Sequence, residues 1–212
     1  MINLLAGLST STLHVISGPD HLAAVTPLAL SSRLRSWFVG FFWGIGHVLG
    51  ALIIGGLFIL LRDLIPIDAI SEYSEQIVGF MLILIGLWAV WKINRSDKYE
   101  NQHHQHKVKE TKKYLSAISI GIIHGLAGVS HIIGILPTLA LPTKADAVIY
   151  LIGFAVGTIA TMVIYSFILG LISHKSVINH RLKLYRRINT FGGVFAIIVG
   201  LYWIGHTWQA FY

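Results

Sequence analysis

The sequence predicts an all-α, polytopic membrane protein whose six transmembrane helices form two inverted three-helix repeats with broken first helices. Three observations lead there. Charged residues make up only 12% of the 212 residues and hydrophobic ones 55%, with a mean hydropathy of +0.71; a soluble domain carries roughly twice that charge. The apolar residues arrive in blocks long enough to cross a bilayer, which takes about 20 residues as helix. The chain also repeats itself at an offset of about 110 residues.

The apolar blocks are residues 2–30, 37–61, 77–91, 114–141, 147–172 and 188–208, the short third one with room to extend back through Ser71. They divide the chain into a first repeat (1–92), a basic His-containing loop (93–113) and a second repeat (114–212). Of the 16 Lys and Arg, all but Arg62 and Lys144 fall in alternate loops: Arg33 and Arg35, then the run from Lys92 to Lys113, then Lys175 to Arg187. The positive-inside rule makes those loops cytoplasmic and places both termini outside. Re-entrant hairpins in place of the first and fourth spans would put Arg186 and Arg187 outside and degrade this bias, so crossings are favoured. "MINLLAGLSTST" has no basic leader, so the first helix is expected to stay in the mature protein. Topology accounts for the net charge of +7, and no nucleic-acid partner is expected. With no cysteine, disulfides and thiolate metal sites are excluded.

"HVISGPDHLAAVTPLAL" from His14 resembles "HGLAGVSHIIGILPTLAL" from His124, aligning His14 with His124, Gly18 with Gly128, His21 with His131 and Pro27 with Pro137. "GFFWG" at Gly40 resembles "GFAVG" at Gly153, and "GFMLILIGLW" at Gly79 resembles "GVFAIIVGLY" at Gly193. Three spans per copy put the copies in opposite orientations, the inverted repeat of secondary transporters, whose substrate sites lie near the midplane where broken helices meet. The recurring glycines of the second and fifth spans read as packing positions.

Asp20 is the one acidic residue of nine that lies deep in a span. A carboxylate there is costly unless paired or coordinated, which makes it a functional-site candidate. The Gly18-Pro19 step breaks the helix, because Pro lacks an N–H and suits the first turn of a new one. Ser17 or Gly18 would cap the new half-helix, and carbonyls near Ser17 would be released. His14 and His21 flank the break, His47 lies in the second span, and His124 and His131 stand in the second repeat, where Ser130 replaces Asp20. Imidazoles with one carboxylate suit a borderline divalent ion such as nickel, cobalt or zinc better than calcium or magnesium. The predicted metal residues are therefore His14, Asp20, His21, His47, His124 and His131. Taken singly, a membrane histidine also serves as an interhelical hydrogen bonder. His206, near Trp203 and Trp208, reads as interfacial, and His174 and His180 as solvated. The tract with His103, His104 and His106 reads either as a metal-collecting segment or as a flexible polar loop.

The His14…Asp20-His21 element followed by Gly46-His47 resembles the nickel/cobalt transporter family and the related permeases described as NicO or urease-accessory type. Five residues separate His14 from Asp20 where the family pattern has four. The resemblance implies a transition-metal permease. The expected function is secondary transport of nickel or cobalt by alternating access of the two repeats, in the cell (plasma or inner) membrane. The metal is cargo, no prosthetic group is expected, and a homo-oligomer stays open. Protons should compete for the imidazoles below about pH 6. Two other readings remain: export of a small anion or metabolite at the half-helix N-terminus, which Asp20 would oppose, and a non-transporting metal-delivery subunit. No enzyme activity is expected, since no acid–base apparatus beyond the cluster is visible.

Overall fold

The computed structural model describes residues 1–61, 67–95, 106–126, 136–178 and 182–209. These residues are helical almost throughout. The predicted first span is two helices, α1 (Ile2–Ser17) and α2 (Pro19–Ser32), parted at Gly18. A 3₁₀ turn (Arg33–Arg35) leads to α3 (Ser36–Leu61). Then come α4 (Ile67–Arg95), α5 (His106–Leu126), a 3₁₀ segment (Leu136–Ala140), α6 (Lys144–Ile178) and α7 (Leu182–Gln209). Both α4 and α5 begin well before the apolar blocks that predicted them. Among the described residues, four stretches are long and apolar enough to cross a membrane: Pro19–Gly55, Gln76–Ile93, Lys144–Ile178 and Lys183–His206. The protein is an integral membrane protein with an all-helical fold. The shorter apolar α1 lies outside that set of four.

The break is built as the Gly-Pro step suggests. Gly18 is extended (φ −86°, ψ 97°) and serves as the N-cap of α2, with Pro19 at its first position. Pro19 has no N–H to offer the Val15 carbonyl four residues back, whereas the carbonyl of His14 keeps its helical donor. It accepts the Gly18 N–H at 3.1 Å and the Ser17 hydroxyl at 3.3 Å. A Cβ on Gly18 would come within 2.9 Å of Asp20 Oδ1, so the approach of the two side chains requires glycine.

Pairings along α6 give the helix directions. Asn3 donates to Asp146 at 2.6 Å, Thr161 donates to Thr12 at 3.3 Å, Thr26 meets Tyr165 at 2.6 Å, and Ser173 donates to the Leu30 carbonyl at 2.7 Å. Residue numbers rise together, so α1 and α2 both run parallel to α6 and the break does not reverse the chain. The hairpin alternative for this segment is thereby removed. At its start, α6 carries a cap in which Asp146 N–H donates to Thr143 Oγ1 at 3.1 Å. At the far end of α2, Lys113 of α5 donates to the Ser31 carbonyl at 3.1 Å, a cation where a helix C-terminus favours one. Arg33, with φ 51°, turns the chain into α3.

Glycines set the closest helix approaches. Gly46 and Gly50 of α3 face Ile118 and Ile122 of α5, and Gly121 and Gly125 of α5 face Trp43 and His47 in return, so these helices are parallel. Gly7 of α1 faces Tyr150 and Phe154 of α6, and Gly153 and Gly157 face Leu4 and Leu8. α3 and α6 are antiparallel, with Gly40 on Met162 and Gly44 on Ile159. α4 and α7 are antiparallel too, through Gly79 with Gly200 and Gly86 with Gly193. Packing is thus the role of these glycines. The "GFFWG" and "GFAVG" pairs have different neighbours, however: Gly40 and Gly44 pack on α6, whereas Gly153 and Gly157 pack on α1. A Cβ at Gly125 would sit 2.9 Å from the Ala51 backbone nitrogen, while one at Gly205 would meet nothing within 4 Å. Gly125→Val should therefore separate α3 from α5 and lower the thermal midpoint of the detergent-purified protein. Gly205→Ala should raise it slightly, since Ala is favoured over Gly in a helix by about 0.5–1 kcal/mol.

α2 lies at the centre. Every residue from Asp20 to Leu30 except Leu22 is buried, and the helix touches α3, α6 and α7. The buried apolar set around it includes Val15, Ala24, Leu28, Val39, Trp43, Leu82, Met162 and Ala196. By contrast, α4, α6 and α7 keep large apolar side chains such as Phe80, Leu84, Ile164, Phe191 and Ile198 exposed, the surface that lipid covers.

Candidate metal centre

The break brings titratable side chains from four helices together. His14 is in the last turn of α1, Asp20 and His21 are in the first turn of α2, His47 is on α3, and His124 is in the last turn of α5. Asp20, His21, His47 and His124 are buried, and His14 is half-buried. The Asp20 carboxylate sits at a helix N-terminus, where the dipole favours negative charge.

Asp20 joins the two halves of the chain. Its Oδ1 lies 3.0 Å from His21 Nδ1 and its Oδ2 lies 3.0 Å from His124 Nε2. The imidazoles crowd one another. Ring centroids are 4.7 Å apart for His14 and His21, 5.0 Å for His21 and His47, and 4.7 Å for His21 and His124. Among the described residues, two groups of three have candidate ligand atoms within 4.8 Å of one another: His14, His21 and His47, and Asp20, His21 and His124. His21 belongs to both. Around an ion held at about 2.0–2.1 Å, ligand nitrogens lie closer together than that bound, so the side chains of either group would have to draw in to hold one.

Five of the six predicted residues thus meet in one cluster. His131 lies outside the described residues, as do Gly128, Ser130, His103, His104 and His180. His206 is exposed at the end of α7, with its ring beside Tyr202 and Trp203, away from the cluster.

Sequence reasoning missed Trp43. Its indole stacks on His47 with centroids 4.8 Å apart and planes at 10°, and it also lies 5.7 Å from His21 and 5.5 Å from His124. One signal existed: Trp43 is four residues before His47, one helical turn away on the same face. The Thr26–Tyr165 hydroxyl bridge was also missed. Thr26 Oγ1 lies 2.6 Å from both the Tyr165 hydroxyl and the Leu22 carbonyl, and it ties α2 to α6 one turn past His21.

A buried set of imidazoles with a single carboxylate can bind a borderline divalent cation. The sequence profile of the cytochrome c biogenesis protein transmembrane region matches residues 2–202. The chain belongs to that family. Relatives within reach are named differently. The chain is 36% identical over 171 residues to "Chloroplast protein FOR GROWTH AND FERTILITY 2" of Arabidopsis thaliana, covering 77% of this chain and 46% of that protein. It is 33% identical over 177 residues to "Chloroplast protein FOR GROWTH AND FERTILITY 1" of the same plant, covering 77% and 48%. It is 31% identical over 165 residues to "Urease accessory protein UreH" of Bacillus sp. (strain TB-90), covering 72% and 70%. The family member therefore spans about half the length of its two chloroplast relatives. These matches support a membrane family that includes UreH, and not specifically the nickel/cobalt transporters. No solved structure matches the chain.

Proposed function

We propose that this protein is a permease for a divalent transition-metal cation, nickel or cobalt first, that binds its cargo within the His14, Asp20, His21, His47 and His124 cluster, with His131 as a further candidate. The observation that carries the reading is the convergence of four imidazoles and one carboxylate from four helices at a helix break inside a membrane protein. Ionisable groups in such a place mark ion pathways by default. The relative named a urease accessory protein fits a metal-handling role, and nickel is the ion implied by the resemblance of the His14…Asp20-His21 element.

Transport is proposed to run by alternating access of two inverted repeats. The packing supports this. Exchanging α1 with α5, α3 with α6, and α4 with α7 maps the α1–α6 contact onto the α5–α3 contact, while the Gly40–Gly44 and Gly153–Gly157 pairs depart from it. The reciprocal Gly79–Gly200 and Gly86–Gly193 contacts follow the same exchange, as an isologous pairing does. The orientation with termini outside rests on the positive-inside rule.

The test is flux of nickel, cobalt and a sulfite-like anion into liposomes carrying the purified protein. Nickel or cobalt should enter, the anion should not, and the Asp20→Ala, His21→Ala double variant should be inactive. Anion flux without metal flux would replace the proposal with an anion exporter. Metal binding without flux would make the protein a delivery subunit.

A further inference from the structure

We infer that the cation rides on the imidazoles of His14, His21 and His47, and that Asp20 stays outside the coordination sphere as a positioning residue for His21 and His124. This rests on the permease reading and divides its cluster into two shells.

The argument starts from what a carboxylate can do. It only accepts hydrogen bonds, and each oxygen of Asp20 lies 3.0 Å from one imidazole nitrogen. His21 Nδ1 and His124 Nε2 therefore carry protons and donate them. A neutral imidazole protonated at Nδ1 keeps its lone pair on Nε2, so His21 turns Nε2 to the cation. On this assignment that nitrogen joins the all-imidazole group with His14 and His47, a group whose candidate ligand atoms lie within 4.8 Å of one another.

The competing group, Asp20 with His21 and His124, occupies the space where both hydrogen bonds run. An ion entering there must break both bonds and strip a proton from each of those nitrogens. An ion on His21 Nε2 leaves both Asp20 hydrogen bonds in place. A carboxylate that takes the second N–H of a metal-bound histidine fixes its tautomer and ring orientation and raises its basicity. The three imidazoles also leave a fourth position open, as in sites whose ligands exchange. His124 comes from the second half of the chain, so Asp20 ties that half to the back of the cation site.

The experiment is X-ray absorption and visible spectroscopy of cobalt(II) bound to the full-length protein in detergent, with binding measured in parallel. The wild-type protein should show three imidazole ligands. Asp20→Asn, which keeps the shape and one acceptor oxygen, should weaken binding by about 10–100-fold while the imidazole count stays at three. His124→Ala should also keep three, and His47→Ala should leave two. Four imidazoles in the wild-type protein, falling to three in His124→Ala, would overturn the assignment. So would a carboxylate ligand in the wild-type spectrum; four imidazoles or a carboxylate in the wild-type spectrum overturns the assignment whether or not a variant folds. A wild-type protein that binds no cobalt or nickel would instead overturn the permease reading, and this one with it.

Discussion

His21→Ala should abolish high-affinity binding of nickel and cobalt, weakening it by more than about 100-fold, beyond the 10–100-fold that follows loss of a supporting group. His21 belongs to both groups of converging ligand atoms. Its ring lies within 5.0 Å of those of His14, His47 and His124, so no rearrangement of the others replaces it. Removing it also takes away the partner of Asp20 Oδ1. A buried charge stripped of a partner typically costs 3–5 kcal/mol, so instability can mimic a binding defect. His21→Gln separates the two effects, because its amide N–H can still reach the carboxylate while the imidazole ligand is gone. Titration calorimetry on detergent-purified protein should show no binding for either variant and normal binding for His206→Ala, whose ring contacts only Tyr202 and Trp203 among the described aromatic contacts. Retention of near wild-type affinity in His21→Gln would remove this cluster as the cation site.

Trp43→Ala should be the most destabilising single truncation near the site. Trp43 heads the fully buried side chains by volume, at 0% exposure. Cutting a buried Trp to Ala typically costs about 3–5 kcal/mol, much of it for the cavity left behind. For a chain of this size that lowers a thermal midpoint by roughly 6–20 °C. The loss should fall on cation binding as well, since the indole forms one wall for His47, His21 and His124. Trp43→Phe should keep both, because a ring face remains and the buried indole N–H meets no acceptor among the described residues, so losing it breaks no hydrogen bond. Thermal unfolding of the three proteins in one detergent checks this. A midpoint for Trp43→Ala within about 2 °C of wild type would show that Trp43 is not a packing support.

The local features were legible because their causes are local. Gly18-Pro19 removes a helix donor and supplies a residue without a Cβ, so the break is written in two adjacent positions. Asp20 stood out because one acid among apolar neighbours is conspicuous whatever the fold. The glycines of the second span read as packing positions because small side chains have little other use there. What stayed hidden depends on where a side chain points once helices pack. His14 and His21 flank the break in the sequence, but only the packed helices set their rings 4.7 Å apart across it. The similarity of "GFFWG" to "GFAVG" marked a repeat, but the two pairs face different helices.

The sequence alone thus determined the membrane class, the helix break, the lone intramembrane carboxylate and the residue types offered to a cation, because hydropathy, proline chemistry and charge are properties of short segments. Only the tertiary structure decided that α1 and α2 continue in one direction beside α6, that Asp20 spends its two oxygens on His21 and on His124 of the other half, and that Trp43 walls the imidazoles. Those are contacts between residues far apart in the chain, and they follow from which helix faces meet, which no single segment encodes.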